Sequence, residues 1–333
     1  MHKSGFFIIL FLLFSISLKA QQIELLQSGR LSSLRGLSVV NDHTIWVSGS
    51  DGTIGRSLNG GKSWEWIIVP RYEKSDFRDI EAFNDQEAFI MATTSPAAML
   101  RTVDGGKSWV VVFEDSSKAI FLDAMDFTDG RAAVIGDPEG TRIFIIESED
   151  KGKTWKKIIP SGFDTTATGE AFFAASGSNI VRNNLKEWVL VSGGTRSSLF
   201  LGPNRFPLLM NQGKETTGAN SIAINPANPN QAFIVGGDYS HDTLRYRNSL
   251  SIQFHPFVQN LPEEPPHGYR SCVEYLNDKQ LICCGTSGVD LSSDGGIHWK
   301  LISGRGFNTC RKAKSGKAIF LVGQHGTIAR MGF

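Results

Sequence analysis

Seven polar or charged residues recur at roughly regular intervals along this chain: Arg35, Arg78, Asp123, Glu170, Asn220, Arg270 and Asn308. Each is followed by residues of apolar, strand-like character. Three arginines facing two carboxylates suit the recognition of polar ligands. A guanidinium presents a planar fork that takes a carboxylate through two parallel hydrogen bonds. Carboxyls and cations gathered in a concavity are also where shifted ionisation and binding tend to coincide. A second set stands in loops of matching position: Asp51, Asp137-Pro138-Glu139, Thr195-Arg196, Asp238-Tyr239-Ser240-His241, Ser287 and Gln324-His325. From both sets, Arg35, Arg78, Asp123, Glu170, Arg196, Asp238, His241 and Arg270 are the candidate partner- or ligand-binding residues. The competing reading is that such groups merely satisfy water and one another. No motif specifies a reaction, so no catalytic residue is assigned. There is no dinucleotide fingerprint, and no metal or cofactor is expected.

The elements that must position these groups announce themselves by repetition. Ser148-Glu-Asp-Lys-Gly-Lys-Thr-Trp155 recurs as Thr102-Val-Asp-Gly-Gly-Lys-Ser-Trp109 and as Ser292-Ser-Asp-Gly-Gly-Ile-His-Trp299. A fourth copy, Ser57-Leu-Asn-Gly-Gly-Lys-Ser-Trp64, carries Asn59 in place of the aspartate. Trp64 and Trp109 are 45 residues apart, Trp109 and Trp155 46, and Trp155 and Trp299 144, which is three times 48. Two degenerate repeats therefore fit the gap. The chemistry of the box is that of a hairpin turn. Asn59, Asp104, Asp150 and Asp294 can accept bonds from backbone N–H groups further along. The glycine supplies positive φ, and Trp64, Trp109, Trp155 and Trp299 have large rings to bury. These residues are read as structural.

Short apolar-alternating strands separated by turn signals at this period argue for an all-β propeller. The pattern predicts seven blades, with six or eight as alternatives, each a four-stranded antiparallel sheet. In blade 1 the strands are expected at 37–40, 44–48, 53–57 and 65–68. Blade 4 is expected to start near Glu170 and to keep a turn at Gly202-Pro-Asn-Arg without its tryptophan. Blade 5 is expected to start near Asn220, with a third strand at 244–247 and a lost box at 248–252. Blade 7 is one strand short, and 22–27, ahead of blade 1, is a spare strand that can close the ring. In such a ring the first set of polar residues lines the axial channel, and the second lies in loops at the same mouth.

Composition narrows the function. The chain has 333 residues with 34 Lys plus Arg against 33 Asp plus Glu, a formal charge of +1. No global field favours nucleic acid or an anionic membrane. His2 and Lys3, an apolar run from Phe6 to Leu18 and Leu18-Lys19-Ala20 form a secretory signal pattern. Residues 1–20 are therefore expected to be removed, leaving 21–333 as a single propeller domain with no membrane span, secreted or periplasmic and monomeric. A retained N-terminal anchor is the alternative. Cys272, Cys283, Cys284 and Cys310 read as small buried hydrophobes, although an exported protein also permits disulfides. Adjacent Cys283 and Cys284 would point to opposite faces of a strand, which disfavours zinc.

Box and period resemble the BNR or Asp-box propellers, the superfamily that includes sialidases. Gly136-Asp-Pro138, Gly169-Glu-Ala-Phe-Phe-Ala-Ala-Ser-Gly177, Gly268-Tyr-Arg-Ser-Cys272, Cys284-Gly-Thr-Ser-Gly288 and Gly326-Thr-Ile-Ala-Arg330 look closer to propellers similar to the photosystem II stability and assembly factor. That resemblance implies an exported seven-bladed scaffold that binds a protein partner without catalysis. An oxidoreductase label used for some relatives finds no motif here. The rival is a sialidase-type glycosidase, for which Arg35, Arg78, Arg270, Tyr239 or Tyr269, Glu170 and Asp51 could be drafted. The Arg-Ile-Pro segment of that class is missing. A third possibility is a non-catalytic binder of a small carboxylate or glycan at the same mouth.

Overall fold

The computed structural model describes residues 22–93, 96–117, 120–158 and 165–332; the expected signal segment lies outside them. Seven four-stranded antiparallel blades form a ring, and no helix occurs among the described residues. The innermost strands, in chain order, are Leu34–Val39, Phe77–Ala82, Leu122–Thr128, Ile180–Arg182, Thr217–Ile224, Cys272–Tyr275 and Thr309–Lys312. Neighbouring inner strands touch around the ring, and blade 7 returns to blade 1. The spare strand closes it: Ile23–Gln27 pairs antiparallel with Ile328–Met331 and becomes the outer strand of blade 7. Closure leaves no unpaired gap between the last blade and the first.

Burial follows strand order within a blade. In blade 1 the second and third strands, Ile45–Gly49 and Thr53–Ser57, are buried throughout, whereas the outer strand Glu65–Ile68 is exposed at both ends. The core lies between blades, in clusters that each draw on two neighbours. One joins Phe233 and Val235 of blade 5 to Val273, Cys283 and Trp299 of blade 6. Each such large apolar side chain contributes about 1.5–3 kcal/mol when fully buried. All four cysteines are buried free thiols. Cys284 packs with Cys272 and Cys310 toward blade 7 while Cys283 faces blade 5, as adjacent strand positions must.

The four boxes fold alike. In the third copy the backbone N–H of Gly152 donates to Ser148 Oγ at 2.8 Å and that of Thr154 to Asp150 Oδ1 at 2.9 Å. Thr154 Oγ1 donates to the other carboxyl oxygen at 2.6 Å. Equivalent bonds organise Asn59, Asp104 and Asp294. These donors hold Asp104 down at about 2, chiefly through the Ser108 hydroxyl. Trp64, Trp155 and Trp299 each donate from Nε1 to the box glycine's carbonyl at 3.1 Å; Trp109 makes no such bond. The glycine does more than turn. A Cβ added at Gly61, Gly106, Gly152 or Gly296 would lie within 3 Å of Phe320, Ile67, Phe89 or Phe233, each a residue of the preceding blade. The box is thus a clasp between blades as well as a hairpin.

Two expected elements are displaced. Blade 4 begins at Ile180, not near Glu170, which lies instead in a two-residue ribbon with Gly193–Gly194 that extends the blade 5 sheet. In blade 5 the third strand is Ser249–Gln253, overlapping the segment assigned to the lost box. The Leu244-Arg-Tyr-Arg247 alternation mimics a strand, yet Leu244 and Tyr246 are exposed, while Leu250 and Ile252 are buried. The turn after that strand, 254–257, has no clasp glycine and instead stacks Phe257 on Phe206 of blade 4, centroids 4.0 Å apart. In blade 4 the predicted turn survives at Gly202-Pro203, between Leu201 and Asn204, with Gly202 at φ 53°.

The clasp yields a graded test. Gly296→Ala should cost on the order of 2 kcal/mol, since its Cβ would meet Phe233 at 2.1 Å and φ is +91°. Gly295→Ala, at φ +81° with nothing within 4 Å, should cost about 1 kcal/mol. Denaturant midpoints of the two variants check the order; equal losses would mean that the interblade contact carries no weight.

Candidate functional site

The axial channel is blocked. The segment Phe172–Ser178, leading into blade 4, runs down the axis and is tied to the inner strands of several blades. Ala175 O accepts from Arg35 Nη1 of blade 1 at 3.5 Å, and Ser176 O accepts from Arg311 Nη2 of blade 7 at 2.9 Å. Ser176 Oγ donates to Ser271 O of blade 6 at 2.7 Å. Ser178 Oγ shares a 2.7 Å bond with Ser221 Oγ of blade 5. Gly177 abuts the Asp79 carboxyl of blade 2, where an added Cβ would lie 2.2 Å from Cγ. Small residues at 174–178 let the plug fit between seven inner strands.

Above the plug, at the mouth formed by the starts of the inner strands, lies a cup of about 430 Å³. Its wall includes Arg35, Arg78, Asp123, Asp137, Asn220 and Asn308, with an aromatic side made by Phe121, Phe173, Tyr239 and Tyr269. Tyr239 stands edge-on to both Phe173 and Tyr269, each at 6.1 Å. Tyr269 is anchored by donating to Asn220 Oδ1 at 2.8 Å. The only hydrogen bond of the Arg35 guanidinium among the described residues is the long one to Ala175. Burial, with the nearby Arg78 charge, pulls Arg35 below the ordinary arginine value. Arg78 is held by Asp76 through Nε at 2.7 Å and lies over the Phe121 ring.

The carboxyls are the unusual members. Asp123 is fully buried, and neither oxygen accepts a hydrogen bond of good geometry. Burial drives it well above the ordinary carboxyl value; Asp137 adds to the shift, while Arg78 and the nearby Ala174 backbone oppose it. Asp137 is raised by burial to about 6, and its Oδ1 is also unclaimed.

The other predicted residues are spent elsewhere. Arg270, with no exposed surface, turns from the axis into blade 6 and donates through Nε to Asp290 Oδ2 at 2.7 Å. It also donates to Tyr269 O at 2.7 Å, Ser287 Oγ at 2.9 Å and His267 O at 3.0 Å. Glu170 pairs with Arg205 and Ser192 away from the cup. Asp238 holds its own turn, accepting from Ser240 N at 3.0 Å and approaching His241 Nδ1 at 3.1 Å. Arg196 and His241 are exposed and do not line the cup. The structure therefore gathers Arg35, Arg78 and Asp123, leaves out the remaining five, and adds Asp137 and the aromatic side. The signal for the plug was present: three small residues, Ala174-Ala175-Ser176, between Gly169 and Gly177 suit a close approach better than the wide face of an inner strand.

The opposite mouth, below the plug, is a cup of about 320 Å³ walled by Asp79, Glu81, Asp126, Glu274 and Arg311 among others. Burial raises Asp79 to about 8, Asp126 to about 6 and Glu274 to about 7. Arg311 Nη1 lies 2.7 Å from Cys272 Sγ. Burial would raise that thiol, but hydrogen bonds from Cys284 and Cys310 and the Arg311 charge outweigh it and pull it well down. Among the described residues no group of three or more His, Cys, Asp or Glu is arranged to hold a metal ion.

No protein-family model matches the chain, and no curated protein matches it. Solved structures do match in fold. YCF48 bound to D1 peptide superposes with a TM-score of 0.66 at 17% identity, covering 96% of each chain. YCF48 from Cyanidioschyzon merolae gives 0.65 at 16%, covering 92% of this chain and 98% of that one. The GH74 enzyme of Niastella koreensis gives 0.62 at 14%, covering 92% of this chain but 53% of the enzyme. At these identities the likeness is one of fold.

Arg270→Ala should destabilise the protein by about 3–5 kcal/mol, because Asp290 is left charged and buried, and Arg35→Ala by far less; urea titration compares them. Asp123 gives the opposite sign. A carboxyl raised on folding contributes stability below its unfolded value near 3.8 and loses it as pH rises through the folded value. Asp123→Asn should thus be more stable than the wild type at pH 8, by on the order of 1–3 kcal/mol, with the gap shrinking toward pH 4. A variant less stable than the wild type at pH 8 would overturn this.

Proposed function

We propose that this is an exported, monomeric scaffold that holds a protein partner in the cup above the plug, in the manner of an assembly or stability factor. The observation that carries the reading is Arg35, its N–H donors almost wholly unclaimed, set in a blind cup beside an exposed tyrosine. Preformed pockets with a few unspent polar groups against aromatic surface are suited to recognition. Tyrosine and arginine are also the residue types that carry most interface energy. The fold likeness to YCF48 bound to D1 peptide supports a polypeptide as the ligand. The octapeptide boxes and their period support placing the chain among Asp-box propellers resembling the photosystem II stability factor.

A second reading, a non-catalytic site for a small carboxylate or glycan, is favoured by the volume of the cup, about 430 Å³. A sialidase-type enzyme is disfavoured, because Arg270 is committed to Asp290 and only two of the three arginines reach the cup.

The test is a pull-down from envelope extract of the source organism with residues 21–333, run beside an Arg35→Ala/Arg78→Ala variant of unchanged circular dichroism. One partner captured by the wild type and lost by the variant is the expected outcome. The same partner captured by both would move the interaction off this face. Capture of nothing would discard the scaffold reading in favour of the small-ligand one.

A further inference from the structure

The cup contains acceptors that receive no hydrogen bond of good geometry from the protein, although the backbone of Ala174 lies near Asp123 and that of Phe172 near Asp137. Asp123 offers two oxygens and Asp137 one, all buried and without a hydrogen-bond partner. Both residues are in the wall of the same cavity. Unpartnered buried carboxyls are costly in a folded protein, and such groups call for an explanation at a functional site. The only described cation affecting both the cup and Asp123 is Arg78, whose charge is already drawn to Asp76. Asp137 worsens the position of Asp123, so one added positive charge near the pair would relieve both.

We propose that Asp123 and Asp137 form an ammonium subsite, which takes a lysine side chain of the protein partner. This rests on the scaffold reading for the partner, but not for the chemistry. A primary ammonium carries three N–H donors, matching the three unclaimed oxygens in number. Its four-carbon stem can lie along apolar surface while the charged head is paired, and Phe121 and Phe173 provide that surface in the same wall. The bulkier guanidinium, with five donors in a fixed plane, would leave two without a carboxyl oxygen. Arg35 remains for an acceptor of the partner, such as a backbone carbonyl or a carboxylate. The cup then reads two features of opposite polarity, which selects against wrong partners through both attraction and repulsion.

The experiment uses calorimetric titration of the mature protein with Nα-acetyl-lysine methylamide, and with the norleucine analogue, which has the stem without the charge. The lysine probe should bind and the norleucine probe should not. Asp123→Asn and Asp137→Asn, near-isosteric changes checked by circular dichroism, should each weaken binding at least tenfold. Affinity should rise from pH 5 upward as Asp137, near 6, and Asp123, held well above its ordinary value by burial beside Asp137 and Arg78, lose their protons. Binding of the lysine probe that is unchanged in Asp123→Asn, equal binding of norleucine, or no binding at millimolar probe would each overturn the subsite. The pull-down separates the two claims. A partner captured through Arg35 and Arg78 with no lysine binding sinks the subsite alone. Lysine binding without any captured protein sinks the scaffold reading and leaves a small-cation site.

Discussion

The fold depends on a contact between a glycine and a bulky apolar side chain of the blade behind it. In four of the seven blades the turn joining the third and fourth strands presses a bare Cα against a side chain of the blade before: Phe320, Ile67, Phe89 or Phe233. Between blades 1 and 2, bonds from Trp46 Nε1 to Asn84 O and from Arg56 Nη1 to Asp85 O run beside this contact. What matters is that two blades approach more closely than any Cβ would allow, so the buried apolar area between them is continuous. The box hydroxyl and carboxylate then hold the turn in the shape that brings the glycine forward. Blades 4, 5 and 7 lack the clasp: blade 7 takes its outer strand from Ile23–Gln27, and blades 4 and 5 use other links. Trp188 Nε1 reaches Glu147 of blade 3, and Phe257 stacks on Phe206. The ring is therefore held by one repeated device, two local substitutes and the strand that closes blade 7.

This explains what could be seen in the sequence. The clasp leaves a spaced signature, so the blade number, the box turns and the closing strand were legible. Blade 1 shows how closely: its last two strands occupy 53–57 and 65–68, as the pattern of side chains requires. Where the clasp is missing the reading slipped. Without a box to fix the register, the alternation at 244–247 passed for a strand, although its arginines and exposed apolar residues mark a loop. Arg270 shows a different limit. A charge at the head of an inner strand looks available, and only the fold shows Asp290 beside it. An aspartate in the middle of Gly288–Ser292, otherwise a buried strand, was the trace of that pairing.

Charge is settled differently on the outer surface of the ring and along its axis. Box aspartates on the outer surface are surrounded by N–H and O–H donors that lower them from their usual range, Asp104 to about 2. The carboxyls facing the axis are deprived of water and rise, to about 6 for Asp137 and about 8 for Asp79. The same residue type thus serves as a turn stabiliser at one radius and as a weak acid at another, according to how many donors the backbone supplies.

The segment lying along the axis also sets what kind of object the cup could admit. An open propeller bore would let an extended strand pass through, and the length of contact would then depend on the length of the thread. Here the floor stands at Ala175, and the hydroxyls of Ser176 and Ser178 fasten it to blades 5 and 6. A polypeptide can present only a tip: a chain end, a tight loop or a single side chain. Depth is then bounded by the plug, whose backbone carbonyls at Ala175 and Ser176 are tied to blades 1 and 7.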